Sequence, residues 1–217
     1  MVPGGSSLAD IGTDHAYLPI YLLRQGIIKF AVAGEVHQGP YHMAQETIRQ
    51  SGLDSKISLR LGDGLAVLAP SEVDVAVIAG MGGSTIAAIL EDSPAVFGSL
   101  SRVIVQPMNA ASLIRRWLVR QGWAIYDEQL VREDGRLYEI IAARPGVSDE
   151  FESVLYEIGP VLWCKKPLLL RAHIEALIAR NKRVLQEMAS SEQAKAAAKY
   201  GDYERKIREM ELKLSCL

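Results

Sequence analysis

The sequence predicts an α/β protein: a seven-stranded, mostly parallel sheet followed by a C-terminal α-helical hairpin of coiled-coil-like character. Three observations support this fold class. Short apolar runs alternate with helical patterns from residue 7 to residue 144, as in a parallel sheet with crossover helices. Asp134-Gly135 separates the last two apolar runs, and this dipeptide is a strong hairpin signal. Beyond Pro145-Gly146 the pattern changes to long stretches of helical periodicity.

The first five strands are predicted to be parallel and to alternate with helices. Short apolar runs that end in turn residues predict strands over residues 7–11, 30–36, 57–64, 73–80 and 102–108. The intervening patterns predict helices over residues 16–26, 40–52, 84–92 and 112–122. Prolines near helix starts and glycines at helix ends support these bounds, namely Pro19, Pro40, Gly26, Gly52 and Gly122.

The last two strands, residues 123–133 and 136–144, are predicted to pair antiparallel at one end of the sheet. In the C-terminal part, two helix faces are predicted from apolar residues, Ile174, Leu177, Ile178, Leu185 and Met188 on one and Ile207, Met210 and Leu214 on the other. The polar stretch SSEQAKAAAKYGDYE between them either begins the second helix or holds a turn near Gly201. We therefore expect two domains, residues 1–145 and 146–217.

The composition is that of an ordinary globular protein. Of the 217 residues 49% are hydrophobic, and the formal net charge is -2, so the chain as a whole does not have the charge of a nucleic-acid binder. Cys164 and Cys216 lie far apart, with no Cys/His cluster, so we expect neither disulfides nor a metal site. No secretory signal or membrane-spanning run is evident. We expect a soluble cytoplasmic protein with neither a membrane nor DNA as a partner.

The stretch ADIGTDHAYLP, residues 9–19, indicates the class of ligand. Asp10-x-Gly12 follows a short apolar strand, as in a nucleotide-binding turn. Pyrophosphate binds such turns through backbone N–H groups and the helix dipole, but Asp14 would place a negative charge in that space. Two carboxylates on one tight turn argue for a ligand with an ammonium, a sulfonium or hydroxyl donors. S-adenosylmethionine, which has no phosphate, fits this description.

Two further carboxylates follow the next two strands. Glu35 ends the second strand, and a carboxylate there can accept both ribose hydroxyls of an adenosyl ligand. Asp63, in GDGL after the third strand, could accept from an adenine amino group. A single acidic residue at a strand end is as often only a turn cap, but three at successive strand ends favour a ligand site.

Five segments carry a family resemblance, in the order DIGTDHAYLP, AGE, GDGL, IAGMGG and QPMN. Together with the EDGRLYEI hairpin and the IGP and KKP segments, they resemble the TrmK family of bacterial tRNA (adenine-N1)-methyltransferases over essentially the whole chain. The resemblance implies a class I Rossmann-like methyltransferase domain with a C-terminal helical hairpin that aids tRNA binding. The implied reaction transfers a methyl group from S-adenosylmethionine to N1 of an adenine, position 22 in the tRNA D-arm.

The resemblance also implies which residues bind the cofactor. In chain order the three implied cofactor motifs contain Asp10, Gly12, Asp14 and His15, then Glu35, then Asp63 with Gly64. Gly80 or Met81, in IAGMGG, could add carbonyl or apolar contacts to cofactor and base. Family members normally have a further helix with basic residues before the first strand, whereas this chain begins there with MVPGGSS. We expect full tRNA affinity to depend on that helix.

Methylation at N1 of adenine needs alignment more than a strong base, because the ring nitrogen carries its own lone pair. The methylated ring is positively charged, and a nearby carboxylate would stabilise that charge and could help remove an N6 proton. Asp14 is our candidate for this catalytic role. The base must be turned out of the folded tRNA, and Tyr17 could stack on it while Asn109 bonds its edge.

Binding of tRNA requires positive charge that the chain as a whole does not supply. Between residues 165 and 183 the only acid, Glu175, is outnumbered by Lys165, Lys166, Arg171, Arg180, Lys182 and Arg183. The helix after the fifth strand carries a second cluster, Arg115, Arg116 and Arg120. For each cluster a solvated helix face explains the charges equally well.

Two other functions stay open at this level. Gly80-Met81-Gly82, between a strand and a helix, could serve a nicotinamide-dependent oxidoreductase. Against it, Thr85 replaces the third glycine and the fifth strand ends in Gln106 rather than an acid for the ribose. A non-catalytic RNA-binding or partner-docking module would use the helical lobe, through which the chain could also form oligomers.

Overall fold

The computed structural model describes residues 1–148, 150–190 and 198–217, which form two compact units. The first contains Met1–Asp127 and Glu139–Ser148, and the second contains Glu128–Tyr138 with the described residues from 150 onward. The tip of the hairpin therefore groups with the C-terminal helices, whereas all residues up to 145 were predicted to belong to the first domain. The functional roles assigned to the two domains stay predictions.

The sheet has the seven strands predicted from the sequence. They are β1 (Ser6–Ile11), β2 (Ile28–Glu35), β3 (Ile57–Leu61), β4 (Val75–Gly82), β5 (Arg102–Asn109), β6 (Trp123–Glu133) and β7 (Arg136–Pro145). Their order across the sheet is β3-β2-β1-β4-β5-β7-β6. Strands β1 to β5 pair in parallel, and β7 is antiparallel to β5. The predicted fold class, a Rossmann-like sheet with C-terminal helices, is confirmed.

Helices connect the parallel strands where the sequence predicted them. They are α1 (Tyr17–Arg24), α2 (Gln38–Ser51), α3 (Gly83–Glu91), α4 (Pro94–Ser99) and α5 (Ala111–Arg120), with a 3-10 turn over Gly64–Val67. Helix α4 and the 3-10 turn were not expected, because so few residues do not establish a helical period in a sequence. Gly52 follows α2 with a φ of 70°, the left-handed conformation that commonly ends a helix.

The chain order of the strands reverses between β1 and β4. From β1 the chain continues to β2 and β3 on one side, and it later forms β4 and β5 on the other. In parallel α/β sheets, ligands bind outside the carboxyl ends of the strands at such a switch point. Asp10, near the end of β1, is in register with Ala33 of β2 and Val77 of β4. The sheet therefore places the stretch ADIGTDHAYLP, which we call the opening motif, at this switch point.

Strand β1 is buried along most of its length, whereas β4 is buried in its first half and becomes exposed towards its carboxyl end. Leu8 and Ala9 in β1 and the run Val75 to Ile78 in β4 are buried, as expected for strands covered on both faces. Burial of one Leu or Ile side chain stabilises the fold by about 1.5–3 kcal/mol. Ala79 and Gly80, by contrast, are exposed, so the carboxyl end of β4 is open to a ligand.

Helices make up most of the second unit: α6 (Ser153–Ile158), α7 (Pro160–Lys165), α8 (Leu170–Met188) and α9 (Ala198–Ser215). The predicted apolar faces of the two long helices are confirmed, since one cluster buries Ile174, Leu177, Ile178, Ile207 and Met210. Gly201 lies inside α9, so a turn there is wrong; one glycine costs a helix only about 1 kcal/mol. Residues 191–197, where the rest of that prediction falls, lie outside the described residues. None of the helices described combines the length and apolar character needed to cross a bilayer.

Glu128 of β6 joins the hairpin tip to the helices of the second unit. Its buried carboxylate accepts hydrogen bonds from the backbone N–H groups of Val161 (2.7 Å) and Leu162 (3.2 Å). Both groups lie in the first turn of α7, where N–H groups have no partner within the helix. Leu130, two residues further along β6, packs against the apolar cluster of this unit. These contacts explain why the hairpin tip groups with the C-terminal helices.

Candidate active site

The turn between β1 and α1 is held tightly against the end of β2. The backbone N–H groups of Gly12 and Thr13 donate to the carbonyl of Gly34, at 2.9 and 3.1 Å. Gly12, Asp14 and Ala16 have positive φ angles of 74°, 51° and 57°. Left-handed backbone costs a non-glycine residue roughly 1–2 kcal/mol. Such strain persists where the surrounding structure holds it, and it is common at functional sites.

Asp10 is buried beneath this turn. The Thr13 hydroxyl donates a hydrogen bond to Asp10 Oδ2 at 2.6 Å. The pKa of the Asp10 carboxyl is raised to about 6: burial is the main cause, the Thr13 hydrogen bond opposes it, and the neighbouring Glu35 carboxylate adds to it. A nearby cation would stabilise the ionised form of such a carboxyl. The site therefore favours a positively charged ligand.

Glu35, at the end of β2, is buried and fastens the β1–α1 turn. Its Oε1 accepts from the backbone N–H groups of Val36 (2.9 Å) and His37 (3.0 Å), and its Oε2 accepts from that of Asp14 (3.3 Å). A carboxylate offers about four acceptor positions. After these three hydrogen bonds, Oε2 retains capacity for a further donor, such as a ribose hydroxyl.

A cleft of about 150 Å³ opens beside the turn. It is lined by Ile11, Gly12, Gly34, Val36, Gly62, Asp63, Gly64, Met81, Thr85 and Ile89. Four predicted cofactor residues thus lie together: Gly12, Asp63, Gly64 and Met81. A Cβ atom at Gly12 would clash with Cε of Met81, so the methionine can cover the turn only because residue 12 is glycine. Largely apolar walls with one carboxylate suit a flat ring that carries an amino group.

Asp14, His15 and Tyr17 do not line this cleft but lie side by side on the β1–α1 turn and at the start of α1, where Asp14 and Tyr17 are exposed and His15 is half-buried. The Asp14 side chain is 68% exposed, and its Oδ1 lies 3.7 Å from Nε2 of His15. The His15 ring stacks on that of Tyr17, with centroids 5.2 Å apart and an 11° interplanar angle. The two acids of the opening motif therefore differ: Asp10 is buried, whereas Asp14 is open to a large substrate.

Gly80 and Asn109 lie at the carboxyl ends of β4 and β5. Gly80 has a φ of 75°, a Cβ placed on it would meet no atom within 4 Å, and its N–H donates to Oε1 of Gln106 at 3.0 Å. Asn109 is exposed and pairs in register with Gly82. Because Gln106 engages the Gly80 N–H, this turn does not offer that group to a phosphate, which argues against the nicotinamide alternative.

Two polar residues that organise the site, Thr13 and Gln106, were not among the predicted site residues. Both stand inside quoted motifs, and a hydroxyl three residues after Asp10 was a usable signal. Three cleft residues, Val36, Thr85 and Ile89, carried no signal that separates a ligand contact from ordinary packing.

The basic cluster predicted on α5 is partly wrong. Arg115 is fully buried, and its guanidinium pairs with Oε2 of Glu139 in β7 at 2.6 Å. It faces the sheet because it lies on the inner side of α5 with Ile114 and Leu118. In the second unit Arg171, Arg180 and Arg183 are exposed on α8, whereas Lys182 pairs with Glu211 at 2.7 Å. Within the described ranges no group of three metal-ligating side chains occurs.

Comparison with known proteins decides the family. The sequence model of TrmK, described as tRNA (adenine(22)-N(1))-methyltransferase, matches residues 8–211. The chain belongs to the TrmK family. The TrmK resemblance stated from the motifs is thereby confirmed.

Among curated TrmK relatives, the tRNA (adenine(22)-N(1))-methyltransferase of Bacillus subtilis (strain 168) is 44% identical over 148 residues, which are 68% of this chain and 62% of that protein. A putative tRNA methyltransferase of Mycoplasma pneumoniae is 30% identical over 61% of each chain. The chain thus aligns with less than two thirds of the length of the curated relatives it matches.

Solved structures share this TrmK fold over nearly the whole chain. Streptococcus pneumoniae Sp1610, a putative tRNA (m1A22) methyltransferase, has a TM-score of 0.89 at 34% identity and covers 99% of this chain and 95% of its own. The same protein is also known in complex with S-adenosyl-L-methionine. TrmK of M. capricolum, in complex with S-adenosyl-homocysteine, has a TM-score of 0.84 at 27% identity and covers 99% of this chain and 93% of its own.

Proposed function

We propose that this chain is an enzyme that transfers a methyl group from S-adenosylmethionine to N1 of adenine 22 in tRNA. Membership of the TrmK family supports this reaction. The observation that carries the proposal is the set of carboxylates Asp10, Glu35 and Asp63 at the ends of three neighbouring parallel strands. Negative charge at the switch point of such a sheet disfavours a diphosphate and favours a cationic adenosyl ligand.

The residues present fit S-adenosylmethionine. Asp10 and Glu35 supply negative charge for its ammonium and sulfonium groups, and Oε2 of Glu35 can accept from a ribose hydroxyl. Asp63, beside the Gly12–Met81 cleft, offers an acceptor to the adenine amino group. When bound, this cofactor supplies the electrophilic methyl group. The two relatives bound to S-adenosyl-L-methionine and S-adenosyl-homocysteine support this assignment.

Three exposed residues are proposed to handle the target adenine. Asp14 stabilises the positive charge that develops on the ring and accepts the N6 proton. Tyr17, whose ring is already stacked on His15, offers its other face to the base, and the Asn109 amide bonds the base edge. His15 thus has two proposed roles: its ring holds the Tyr17 ring in place by stacking, and it belongs to the implied cofactor motif.

Recognition of the rest of the tRNA is assigned to the second unit. The net charge of the chain is -2, so positive charge for the tRNA phosphates must come from local clusters. The exposed arginines of α8 form such a cluster. Oligomer formation through the helices and a cytoplasmic location stay predictions from the sequence.

The proposal is tested by incubating the chain with labelled S-adenosylmethionine and tRNA, then mapping the methylated nucleoside. The expected product is N1-methyladenine at position 22. Replacing Asp14 by Asn should keep the left-handed turn, which Asn also tolerates, and should lower kcat by about 10²–10⁴, the usual contribution of a general acid or base. Asp14→Ala should abolish transfer while the protein stays folded.

Asp54→Asn is the matched control, because Asp54 is an exposed aspartate in the loop between α2 and β3. Its kcat should equal that of the unmodified chain. Unmodified tRNA after incubation with the unaltered chain would overturn the proposed reaction. Full turnover by Asp14→Asn would leave the reaction standing and remove Asp14 from its mechanism.

A further inference from the structure

Helix α1 carries a stripe of exposed side chains, and two of them, Tyr21 and Arg24, have no role in the proposed reaction. Tyr17, Tyr21 and Arg24 are spaced i, i+4 and i+7, so they lie on one face of the helix. Tyr17 is 66% exposed and Tyr21 is 59% exposed. Arg24 is exposed in the last turn. We call these three residues the α1 stripe.

The α1 stripe is not required by the protein core. The opposite side of the helix supplies the buried residues Pro19, Ile20, Leu22 and Leu23. The helix contains no acidic residue, and within the part of the chain that the structure describes no carboxylate pairs with Arg24. Two uncovered tyrosines beside an uncompensated arginine make a surface suited to a ligand with rings and negative charge.

The α1 stripe begins beside the proposed catalytic residue Asp14. The His15 ring, next to Asp14, stacks on Tyr17, the first member of the stripe. At a rise of 1.5 Å per residue, Tyr21 lies about 6 Å and Arg24 about 10 Å further along the helix axis. A strand that leaves the site along α1 would therefore meet an aromatic ring and then a cation.

We propose that Tyr21 and Arg24 bind the unpaired tRNA strand next to the methylated adenine. A neighbouring base stacks on Tyr21, and a backbone phosphate contacts the Arg24 guanidinium. Single-stranded RNA is recognised in this way, by aromatic stacking and by arginine on phosphate. The inference rests on the proposed function, because it takes position 22 of tRNA as the methylated base.

The test measures kcat, KM for tRNA and Kd for S-adenosylmethionine in single variants. Tyr21→Ala should raise KM for tRNA about tenfold, within the range for loss of one base stack, with Kd for the cofactor unchanged. Tyr21→Phe keeps the ring and should behave like the unmodified chain, whereas Tyr21→Leu should behave like Tyr21→Ala. Arg24→Gln should raise KM and lower the slope of log affinity against log salt by about 1, the loss of one phosphate contact.

The neighbouring helix α2 provides two matched controls. Met43 is 52% exposed there, so Met43→Ala tests whether loss of any exposed apolar side chain has the same effect. Arg49 pairs with Glu46 at 2.9 Å, so Arg49→Gln removes an equal charge that is already compensated. Both controls should keep the KM and the salt slope of the unmodified chain.

The outcomes separate this inference from the proposed function. If the unmodified chain methylates adenine 22 while Tyr21→Ala and Arg24→Gln keep its KM for tRNA, the stripe does not bind the substrate and only this inference fails. An increase in cofactor Kd equal to the increase in KM would also overturn it, because the stripe would then act through the cofactor site. If the unmodified chain transfers no methyl group to tRNA, the proposed function fails first.

Discussion

At the scale of single residues, the opening motif separates two aspartates by burial. Asp10 is buried, and burial raises the pKa of its carboxyl to about 6, whereas Asp14 is exposed on a left-handed turn. In the proposed function, Asp10 therefore sets the charge of the cofactor site, whereas Asp14 is accessible to the target base. The difference arises because the chain turns back over Asp10 through the hydrogen bonds of Gly12 and Thr13 to Gly34.

The raised pKa of Asp10 predicts a pH-dependent stability. The folded state binds the Asp10 proton more tightly than the unfolded state does. Protonated Asp10 therefore stabilises the fold fully below pH 3.8, and this contribution is lost as the pH rises through 6. At pH 7.5 without cofactor, the free energy of unfolding of Asp10→Asn should therefore exceed that of the unmodified chain by up to about 3 kcal/mol. The variant should accordingly unfold at a higher urea concentration. At pH 4.5 the difference should be much smaller. Urea unfolding at the two pH values measures it.

Asp74→Asn provides the opposite control. The pKa of Asp74 is lowered by the hydrogen bond from the Ser7 backbone N–H and by that from the Ser7 hydroxyl. This stabilisation is present above pH 3.8 and is lost only at lower pH, so Asp74→Asn should be less stable than the unmodified chain at both pH values. Equal pH dependence in Asp10→Asn and the unmodified chain would contradict the assignment of Asp10.

The positions of the site acids could be predicted, but not their environments. Asp10, Glu35 and Asp63 follow apolar runs, and parallel strands bring such ends together. Burial of Asp10 depends on how the turn folds back, and the hydrogen bonds of Glu35 to Val36, His37 and Asp14 depend on exact backbone positions. Neither is encoded in a local pattern. Arg115 illustrates the same limit, because nothing in the sequence around it indicates that it would pair with Glu139.

At the scale of secondary-structure elements, α3 is fixed by one close contact at its start. A Cβ at Gly83 would lie 2.5 Å from the carbonyl oxygen of Ala110, between β5 and α5. This backbone cannot move aside without displacing Asn109, which precedes it. Glycine at position 83 thus sets the spacing between α3 and the carboxyl end of β5.

Gly83→Ala should therefore destabilise the protein by roughly 1–3 kcal/mol, the usual cost of overpacking. Gly98→Ala in α4 is its control, because a Cβ there meets no atom within 4 Å; it should stabilise the helix by about 0.5–1 kcal/mol. Thermal denaturation of the two variants measures both effects. A Gly83→Ala protein as stable as the unmodified chain would show that the contact with Ala110 relaxes freely.

Long elements were predictable because their periods and turn residues agree. The strand and helix alternation up to residue 144, and the apolar faces of α8 and α9, follow directly from the spacing of apolar residues. Helices α4, α6 and α7 each contain six residues, too few for periodicity to distinguish them from loops. The contact of the hairpin tip with α7 is a tertiary contact, so no local signal announces it.

At the scale of the whole molecule, the proposed function requires a chain of net negative charge to bind a negatively charged polymer. The net charge of -2 leaves this task to local surfaces, and Arg180 and Arg183 lie on α8 one helical turn apart. Positive charge confined to such patches neutralises phosphates without making the whole chain basic.

The double substitution Arg180→Gln and Arg183→Gln should weaken tRNA binding more at low salt than at high salt. Each lost phosphate contact lowers the slope of log affinity against log salt by about 0.9 for a duplex, so the expected decrease is about 2. Binding titrations at several salt concentrations measure it. Arg205→Gln is the control, because Arg205 already pairs with Asp202 at 2.7 Å. An unchanged slope in the double variant would assign these arginines to a solvated helix face.

The link made by Glu128 and Leu130 restricts how this gene can be divided. A fragment that stops at residue 148 would keep both side chains but lose the α7 amides and the apolar cluster that enclose them. An acid and a leucine fitted to an interior would then face water. Anyone who wants the sheet alone must therefore also redesign the part of β6 from Glu128 onward.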